Sequence, residues 1–477
     1  MAFFDRHLVR LKGGPRSKKA LVVRNVAPAT DYYKEAHDMK ITPTIAKRKL
    51  NSAISAVSDV SWMYSKDPES DFTRERKLPM NSMLHMLLKF SGKSLQSEIS
   101  AFYSPPGKTY RRIPTKSAFT QQRQKLLWEG CYTLFRTFTD SLPCLKLFNG
   151  YRLLACDGSS VCIPRNKQEE KYSIVTKEGY RAYNMLNING LYDVLNRIYI
   201  DAVIDPGAQR REIAALITMV NHLDHPESSI VLADRGYESF RTISHMIEST
   251  VKFVIRAKDL DSNGFLHTLH LPPEGEIDID VNKILTHSRR RIYENDDRYV
   301  WVHRRVFDLW DSDEKYSIHF RLVRIKLDDG NYECLVTNLP RDKFSMKKLK
   351  KLYHLRWGVE NAYRDLKYSI DLLHFHGKSA QAVLQEIFCS LTMFNYCAYL
   401  CVHADILHVP KKTKYRYKVN FANAVGPCRA YLHGSIGEME LLDRLRLAPV
   451  PIRPDRHIKR RSRIEEQSSR EFNYRAS

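Results

Sequence analysis

The sequence predicts a mixed α/β protein with a helical N-terminal part. Three observations carry that prediction. Residues from about 40 to 140 show Leu/Met spacing of helical type. From about 150 onward, apolar runs follow the order strand, strand, strand, helix, strand, helix, strand. Between about 258 and 337 the chain is rich in short strand-like runs split by turn residues.

The elements follow in order. FTRERKLPMNSMLHMLLKFSG reads as a helix broken at Gly92, and SLQSEISAFY as a second helix closed by SPPG at Ser104 to Gly107. TKSAFTQQRQKLLWEGCYTLFRTF restarts, with Thr115 or Ser117 as N-cap. Short helices laced with Arg and Lys resemble a helix-turn-helix DNA-binding unit. A small helical packing domain would look the same, and no periodicity separates the two.

YRLLACDGS is then a short apolar run ending in Asp157, and GLYDVLNRIYIDAVIDPG holds two β-branched runs able to pair. Gln209 to Leu223 reads as a helix, SSIVLADRGY as a buried strand ending in Asp234, Tyr237 to Glu248 as a helix and VKFVIRAK as a strand. RRIYENDDRYVWVHRRVFDLW, YSIHFRLVRIKL and YECLVTNL belong to a β-rich insertion. YHLRWGVENAYRDLK, from Tyr353 to Lys367, reads as one helix with Ser345 as its N-cap, and an apolar helix follows around 383 to 404. KKTKYRYK and RPDRHIKRRSR are solvated charge runs able to meet phosphate.

A chain of 477 residues has room for two to four domains. Three are expected: a helical DNA-binding domain over 1–140, a catalytic domain over 145–404 containing the insertion at about 258–337, and a basic segment over 405–477. Hydrophobic content of 43% and charged content of 27% are ordinary for a soluble protein. The net charge of +23 is not, and it favours polyanions, nucleic acid ahead of an anionic membrane. Nine scattered cysteines without a CxxC pair point to a reduced, cytosolic setting. MAFFDRHLVRLKGGPRSKK lacks the apolar centre of a signal peptide. Ile387 to Val402 is short for a membrane span and reads as a core helix, so no membrane is expected.

On a single helix, Tyr353, Arg356, Glu360 and Lys367 would share a wedge of roughly 60°. Arg356 and Glu360 alone would be a surface pair worth a few tenths of a kcal/mol. Trp357 and Tyr363 nearby point instead to a face that meets something large, aromatic or anionic. Acids at the ends of neighbouring strands can converge, and Glu360 would add a third to Asp157 and Asp234. Three such carboxylates repel unless cations neutralise them, and oxygen-only ligands suit Mg²⁺ or Mn²⁺. Two ions about 3.5–4 Å apart can activate water and stabilise a leaving oxygen in phosphodiester cleavage. Each acid alone is weak evidence, because an Asp at a strand end is commonly a turn former.

The pattern Y-x₂-R-x₃-E-x₆-K at Tyr353, Arg356, Glu360 and Lys367 resembles the signature of DDE insertion-sequence transposases of the IS-four group. CDGSS, LADRGYES, VTNLP and LRWGVENAYRDLK fit it, and SGKSLQSEISAF, TKSAFTQQRQKL and the terminal FNYR are similar to other parts of that group. The resemblance spans roughly residues 70 to 400 plus the tail. It implies a ribonuclease H-like catalytic core with a β-rich insertion between the second Asp and the Glu. Asp157, Asp234 and Glu360 would be the catalytic, metal-binding triad for two Mg²⁺ or Mn²⁺ ions. Tyr353, Arg356 and Lys367 would contact DNA near the cleaved end, and Trp357 would stack on a base.

The implied activity is metal-dependent strand cleavage and strand transfer on element terminal inverted repeats and target DNA, by a homodimer assembled on DNA in the bacterial cytoplasm and nucleoid. A nuclease on the same core, or a non-catalytic DNA-binding derivative, are the alternatives; the three intact acids speak against the second of these. A tyrosine recombinase would leave the acids without a role. His374 and His376 read as local packing, Asp371 as a rival third acid without the flanking signature, and Arg235, Arg256 and Lys258 as phosphate contacts or solvated surface.

Overall fold

A computed structural model describes residues 42–74, 78–104, 113–175, 182–209, 211–260, 262–269, 271, 275–288, 297–303, 308–309, 315–328, 330–407 and 416–452. The N-terminal nineteen residues, Pro105 to Gly107, RPDRHIKRRSR, the terminal FNYR and most of KKTKYRYK lie outside them.

Among the described residues, five helices come first: α1 (Pro43–Asp59), α2 (Met80–Lys89), α3 (Leu95–Tyr103), α4 (Lys116–Arg123) and α5 (Trp128–Ser141). Their starts follow from local chemistry. Thr42, Ser94 and Thr115 each accept a backbone N–H of the first turn. Beyond α2 the chain turns at Gly92 with φ +84°, a conformation open to glycine.

The sheet contains ten strands among the described residues. Five form its centre: β1 (Arg152–Ile163), β3 (Tyr183–Asp193), β4 (Ile198–Pro206), β5 (Ser229–Ala233) and β6 (Lys252–Ala257). Strand β3 lies antiparallel between β1 and β4, whereas β5 and β6 run parallel to β1, giving the order β4-β3-β1-β5-β6. The two-residue β2 (Ser173–Ile174) pairs with the start of β3. All five residues of β5, Ser-Ile-Val-Leu-Ala, are buried, as a parallel strand covered on both faces requires.

The β-rich stretch does not stand apart from this centre. Its strands β7 (Ile277–Thr286), β8 (Tyr299–Trp301), β9 (Tyr316–Lys326) and β10 (Tyr332–Thr337) extend the same sheet, because β10 pairs antiparallel with β6. β1 also departs from expectation: it does not end at Asp157 but runs on to Ile163, held by β3. Its pairing with β5 does stop there, at Cys156 opposite Ala233.

Helices α6 (Glu212–Asn221) and α7 (Phe240–Glu248) cover one face of this centre. On the other lie α5, α9 (Trp357–Arg364) and α10 (Ala380–Leu407). α10 is long and apolar enough for a membrane span by length and composition, yet 89% of its most apolar window is inside the protein. It is apolar all round because helices and sheet surround it: α1, α2 and α5 pack on it, and α11 (Phe421–Leu432) and α12 (Glu438–Arg446) close its far end. Asn395 of α10 ties it to the sheet by accepting from the Tyr199 N–H at 2.8 Å and donating to the Tyr199 carbonyl at 2.7 Å. All nine cysteines are free thiols, and eight of them are buried.

The predicted helix from Tyr353 to Lys367 keeps a helical backbone but not one regular pattern. α8 (Met346–His354) passes through Leu355 and Arg356, both with helical dihedrals and i→i−3 bonds, into α9, and a π-helical turn spans Asp365–Ser369. Ser345 precedes α8 without a side-chain capping bond.

One buried ion pair joins the N-terminal helices to α10. Arg123 donates to Glu386 at 2.7 Å, with side chains 5% and 6% exposed, and also to Gln385 at 2.8 Å. Removing one partner of such a pair leaves a charge uncompensated. Arg123→Met is therefore expected to cost about 3 kcal/mol in chemical denaturation; a loss under about 1 kcal/mol would show that the pair does not hold these helices in place.

Candidate active site

Asp157 stands one residue beyond the last β1–β5 pair and Asp234 one residue beyond the end of β5. Parallel pairing thus sets them on adjacent strands, ~4.8 Å apart in backbone spacing. Asp234 opens a 3₁₀ turn, Arg235–Tyr237, in extended geometry (φ −85°, ψ 177°). Asp157 turns its Oδ1 back to accept the N–H of Gly158 at 2.9 Å.

The third acid arrives from α9. Arg356, only 3% exposed, donates through Nη2 to Glu360 Oε1 at 3.0 Å. Its guanidinium lies 5.7 Å from the Tyr353 ring and 5.2 Å from the Trp357 ring. The Tyr353 hydroxyl donates to Asp234 Oδ1 at 3.1 Å. Tyr353, Arg356 and Glu360 therefore share one helical face near the strand-end aspartates, across the tightened turn between α8 and α9.

Electrostatics confirm the shared neighbourhood. Burial pushes the Asp157 carboxyl up to about 6; the Gly158 N–H and the Arg356 charge resist, while Glu360 and Asp234 add to the rise. Burial opposes ionisation of Asp234 too, but the Arg235 N–H, Arg356 and the Tyr353 hydroxyl together hold its pKa below the usual 3.8. The Tyr353 phenol is raised, by burial first and then by Asp234.

The donor set is all oxygen, which suits Mg²⁺ or Mn²⁺. Burial is the main cause of the rise at Asp157, with Glu360 and Asp234 adding to it, and three carboxylates gathered at one pole beside Arg356 have the donor chemistry of a cation site. As placed, no three His, Cys, Asp or Glu side chains among the described residues stand close enough to share one ion. The structure thus brings the three acids to one pole of the sheet without bringing them to ion-sharing distance.

The other predicted residues divide. Trp357 is 37% exposed, on the outer side of α9 next to Arg356. Lys367, in the π-helical turn, donates to the Ser160 carbonyl of β1 at 2.9 Å, and burial lowers its pKa. It is thus engaged with the strand that carries Asp157. Asp371 is not at the site: it pairs with His374 and lies against Gly92. His376 stacks edgewise on Phe90, with centroids 4.5 Å apart. Arg256 pairs with Glu333 at 3.5 Å and Lys258 with Glu238 at 3.8 Å, whereas Arg235 is exposed beside Asp234.

Sequence reasoning missed the pillar under Asp157. The buried Tyr363 hydroxyl lies 2.9 Å from both the Asp157 and the Ile188 carbonyl, clamping β1 to β3. A Cβ at Gly190, opposite Asp157, would stand 2.8 Å from that hydroxyl, so the clamp needs a glycine there. Spacing offered no signal for Gly190. Glu212, at the start of α6, was also passed over: its carboxylate lies beside Gly158 and Gly236, next to the two aspartates.

The profile of the transposase DDE domain matches residues 148–396, more than half of the chain. No curated protein matches it. A solved structure, the cryo-EM structure of the piggyBac transposase synaptic complex with hairpin DNA, is similar with a TM-score of 0.43 at 9% identity, over 87% of this chain and 84% of that one. That likeness is too distant to support an argument about function.

The fold holds the Asp157 proton more tightly than the unfolded chain does, with a pKa of about 6 against 3.8. The cost of ionising it is therefore absent below about pH 4, grows from there to about pH 6 and is full above that. In EDTA, Asp157→Asn is expected to raise Tm by a few degrees at about pH 7.5 and to leave it unchanged near pH 4. An equal shift at both pH values would refute the burial of this charge.

Proposed function

We propose, from the premise that this chain belongs to the DDE transposase-domain family, that it is the transposase of an insertion sequence of the IS-four group. The central order β4-β3-β1-β5-β6, with two antiparallel and two parallel neighbours, supports reading the catalytic part as a ribonuclease H-like core. We read 1–140 as the helical DNA-binding domain, 145–404 as the catalytic domain with its insertion at about 258–337, and 405–477 as a basic segment for backbone contact. The observation that carries the proposal is the adjacency of Asp157 and Asp234 at the end of the β1–β5 ladder, with Glu360 tied in through Arg356.

In this reading Asp157, Asp234 and Glu360 hold two Mg²⁺ or Mn²⁺ ions. Those ions, when bound, supply an activated water and stabilise the leaving oxygen. The reaction is a phosphodiester hydrolysis at the element end: a water oxygen bonds to phosphorus, the P–O3′ bond breaks, and the 3′ oxygen leaves with a proton. The freed 3′-OH then attacks a target phosphodiester, one P–O bond replacing another. Neither step needs a covalent protein intermediate. Arg356 sets the Glu360 carboxylate at 3.0 Å, and the Tyr353 hydroxyl orients Asp234. Tyr353 and Arg356, buried, serve the DNA end by holding Asp234 and Glu360, Lys367 reaches the DNA backbone near the cut by exchanging its bond to the Ser160 carbonyl for a phosphate, and exposed Trp357 stacks on an unpaired base. Engaging terminal inverted repeats at both ends calls for a homodimer on DNA, acting in the bacterial cytoplasm on the nucleoid. The net charge of +23 supports the DNA partner.

Cleavage and strand transfer are to be measured on a duplex carrying the element end, with Mg²⁺. Glu360→Ala is expected to lower both by about 1,000-fold or more, with Kd for the duplex changing less than about threefold. Equal loss of binding and cleavage would remove Glu360 from the chemistry. Trp357→Ala is expected to weaken a frayed or hairpin end by about tenfold or more and a blunt duplex little, as base stacking predicts; equal weakening of both would exclude stacking.

A further inference from the structure

Helix α8 presents charge of one sign only. Lys347, Lys348, Lys351 and His354 are exposed and Lys350 is half-buried, while Leu349, Leu352 and Tyr353 are buried and the helix packs on β9. At 100° per residue the five bases fill an arc of about 160°, and MKKLKKLYH holds no Asp or Glu. None of the four lysines makes an ion pair among the described residues; Lys348 Nζ donates to the Lys343 carbonyl at 3.2 Å. Glu333 lies within electrostatic reach of Lys350 and His354 but pairs with Arg256 at 3.5 Å.

This arrangement works against the helix. Lys347 and Lys351 stand four residues apart, and Lys347 and Lys350, like Lys348 and Lys351, stand three apart; like charges at those spacings destabilise a helix. Lys347 and Lys348 also sit in the first turn, where the helix dipole disfavours cations. Elsewhere the chain obeys that rule: α12 has Glu438 and Glu440 in its first turn and Arg444 and Arg446 in its last. A bound polyanion relieves both conflicts at α8. Duplex DNA suits the face better than a membrane surface, because Leu349 and Leu352 are buried in the protein and leave the charged side little to insert into a bilayer.

The face also runs toward the site. His354 precedes Glu360 by six residues and Lys347 by thirteen, so the bases lie roughly 9–20 Å from that acid along the helical path. Lys367 follows Glu360 on the other side. DNA held by Lys367 on one side of the cut therefore leaves α8 to the DNA on the other. The face carries no Arg, Asn or Gln, whose planar forks suit base edges; compact ammonium groups suit phosphates of any sequence. We propose that the exposed face of α8 seats the target duplex for strand transfer, holding its backbone without reading its bases. The proposal rests on the transposase reading and deepens it by giving the target a place.

The test combines Lys347→Gln and Lys351→Gln in the full chain, two exposed changes that keep helix propensity. Binding of a random-sequence duplex is followed by fluorescence anisotropy across salt concentrations. The slope of log Kd on log[salt] is expected to fall by about two, roughly one for each lysine removed. Strand transfer from a pre-cleaved element end is expected to fall about tenfold further than cleavage of an intact end. Tm is expected to hold or rise, since like charges are removed; a lower Tm with an unchanged slope would make the lysines structural and overturn the proposal. An unchanged slope beside wild-type strand transfer would overturn it and leave the transposase reading standing. Equal losses in cleavage and transfer would give the face to the element end, and lost binding to phosphatidylserine vesicles with DNA binding intact would give it to a membrane; either overturns it. A wild-type chain that neither cleaves nor joins DNA would overturn the transposase reading and the target role together, with the slope still showing whether α8 holds duplex.

Discussion

Parallel pairing of β1 with β5 is the constraint from which the site follows. The last pair, Cys156 with Ala233, makes the next residue of each strand an aspartate, and the backbone leaves these two no freedom to separate. Two charges at the spacing of neighbouring strands repel by roughly 3 kcal/mol at an effective dielectric constant near 20. Sheet hydrogen bonds and a buried apolar ladder outweigh that cost, because β5 is buried throughout. The pair ionises unequally: Asp234, served by the Arg235 N–H, Arg356 and Tyr353, goes down, while Asp157, raised first by burial and then by Glu360 and Asp234, goes up to about 6. The split follows chiefly from how deeply each carboxyl is buried and how many donors it meets.

Arg356 is the fold's own partial answer, delivered along the helical path that joins α8 to α9. Leu355 and Arg356 keep helical dihedrals, so Tyr353 and Glu360 stay on one face, the Tyr353 hydroxyl reaches Asp234, and Arg356 meets Glu360 as an i,i+4 pair at 3.0 Å. From beneath, Tyr363 clamps β1 to β3 at the Asp157 carbonyl, so the strand carrying the first acid cannot shift without breaking two buried contacts. Lys367 adds a third tie, to the Ser160 carbonyl. The motif residues thus brace the strand as well as line the site.

Much of this was legible in the residues, and what was not has physical reasons. SSIVLADRGY gave its strand and its terminal acid because an unbroken buried run ending in turn formers admits few other readings. The largely apolar α10 was legible as core because Ser, Thr and Asn interrupt its apolar stretch from Ile387 to Val402, which is itself short of a comfortable span. The end of β1 was misplaced: Asp157-Gly-Ser-Ser reads as a turn, but β3 supplies a partner that keeps the chain extended to Ile163. The tightened joint between α8 and α9 was invisible because LRWGVEN contains no proline and keeps helical spacing. Gly190 and Glu212 carry no local signal at all. Gly190 stands opposite Asp157, and Glu212 beside Gly158 and Gly236, only through the register of the sheet, which long-range pairing sets.

Exposure is distributed unevenly among the charged groups, and this orders their roles. Arg356 is 3% exposed, with its Nε buried and lacking an acceptor among the described residues, whereas the Glu360 side chain is 34% exposed. The ladder sets the backbone of Asp157 and Asp234, while the Tyr353 hydroxyl and Arg356 hold the side chains of Asp234 and Glu360. Two acids thus come from the sheet and one from a helix, and the buried guanidinium, whose charge favours ionisation of both aspartates, is the link that keeps the helix-borne acid beside the strand ends.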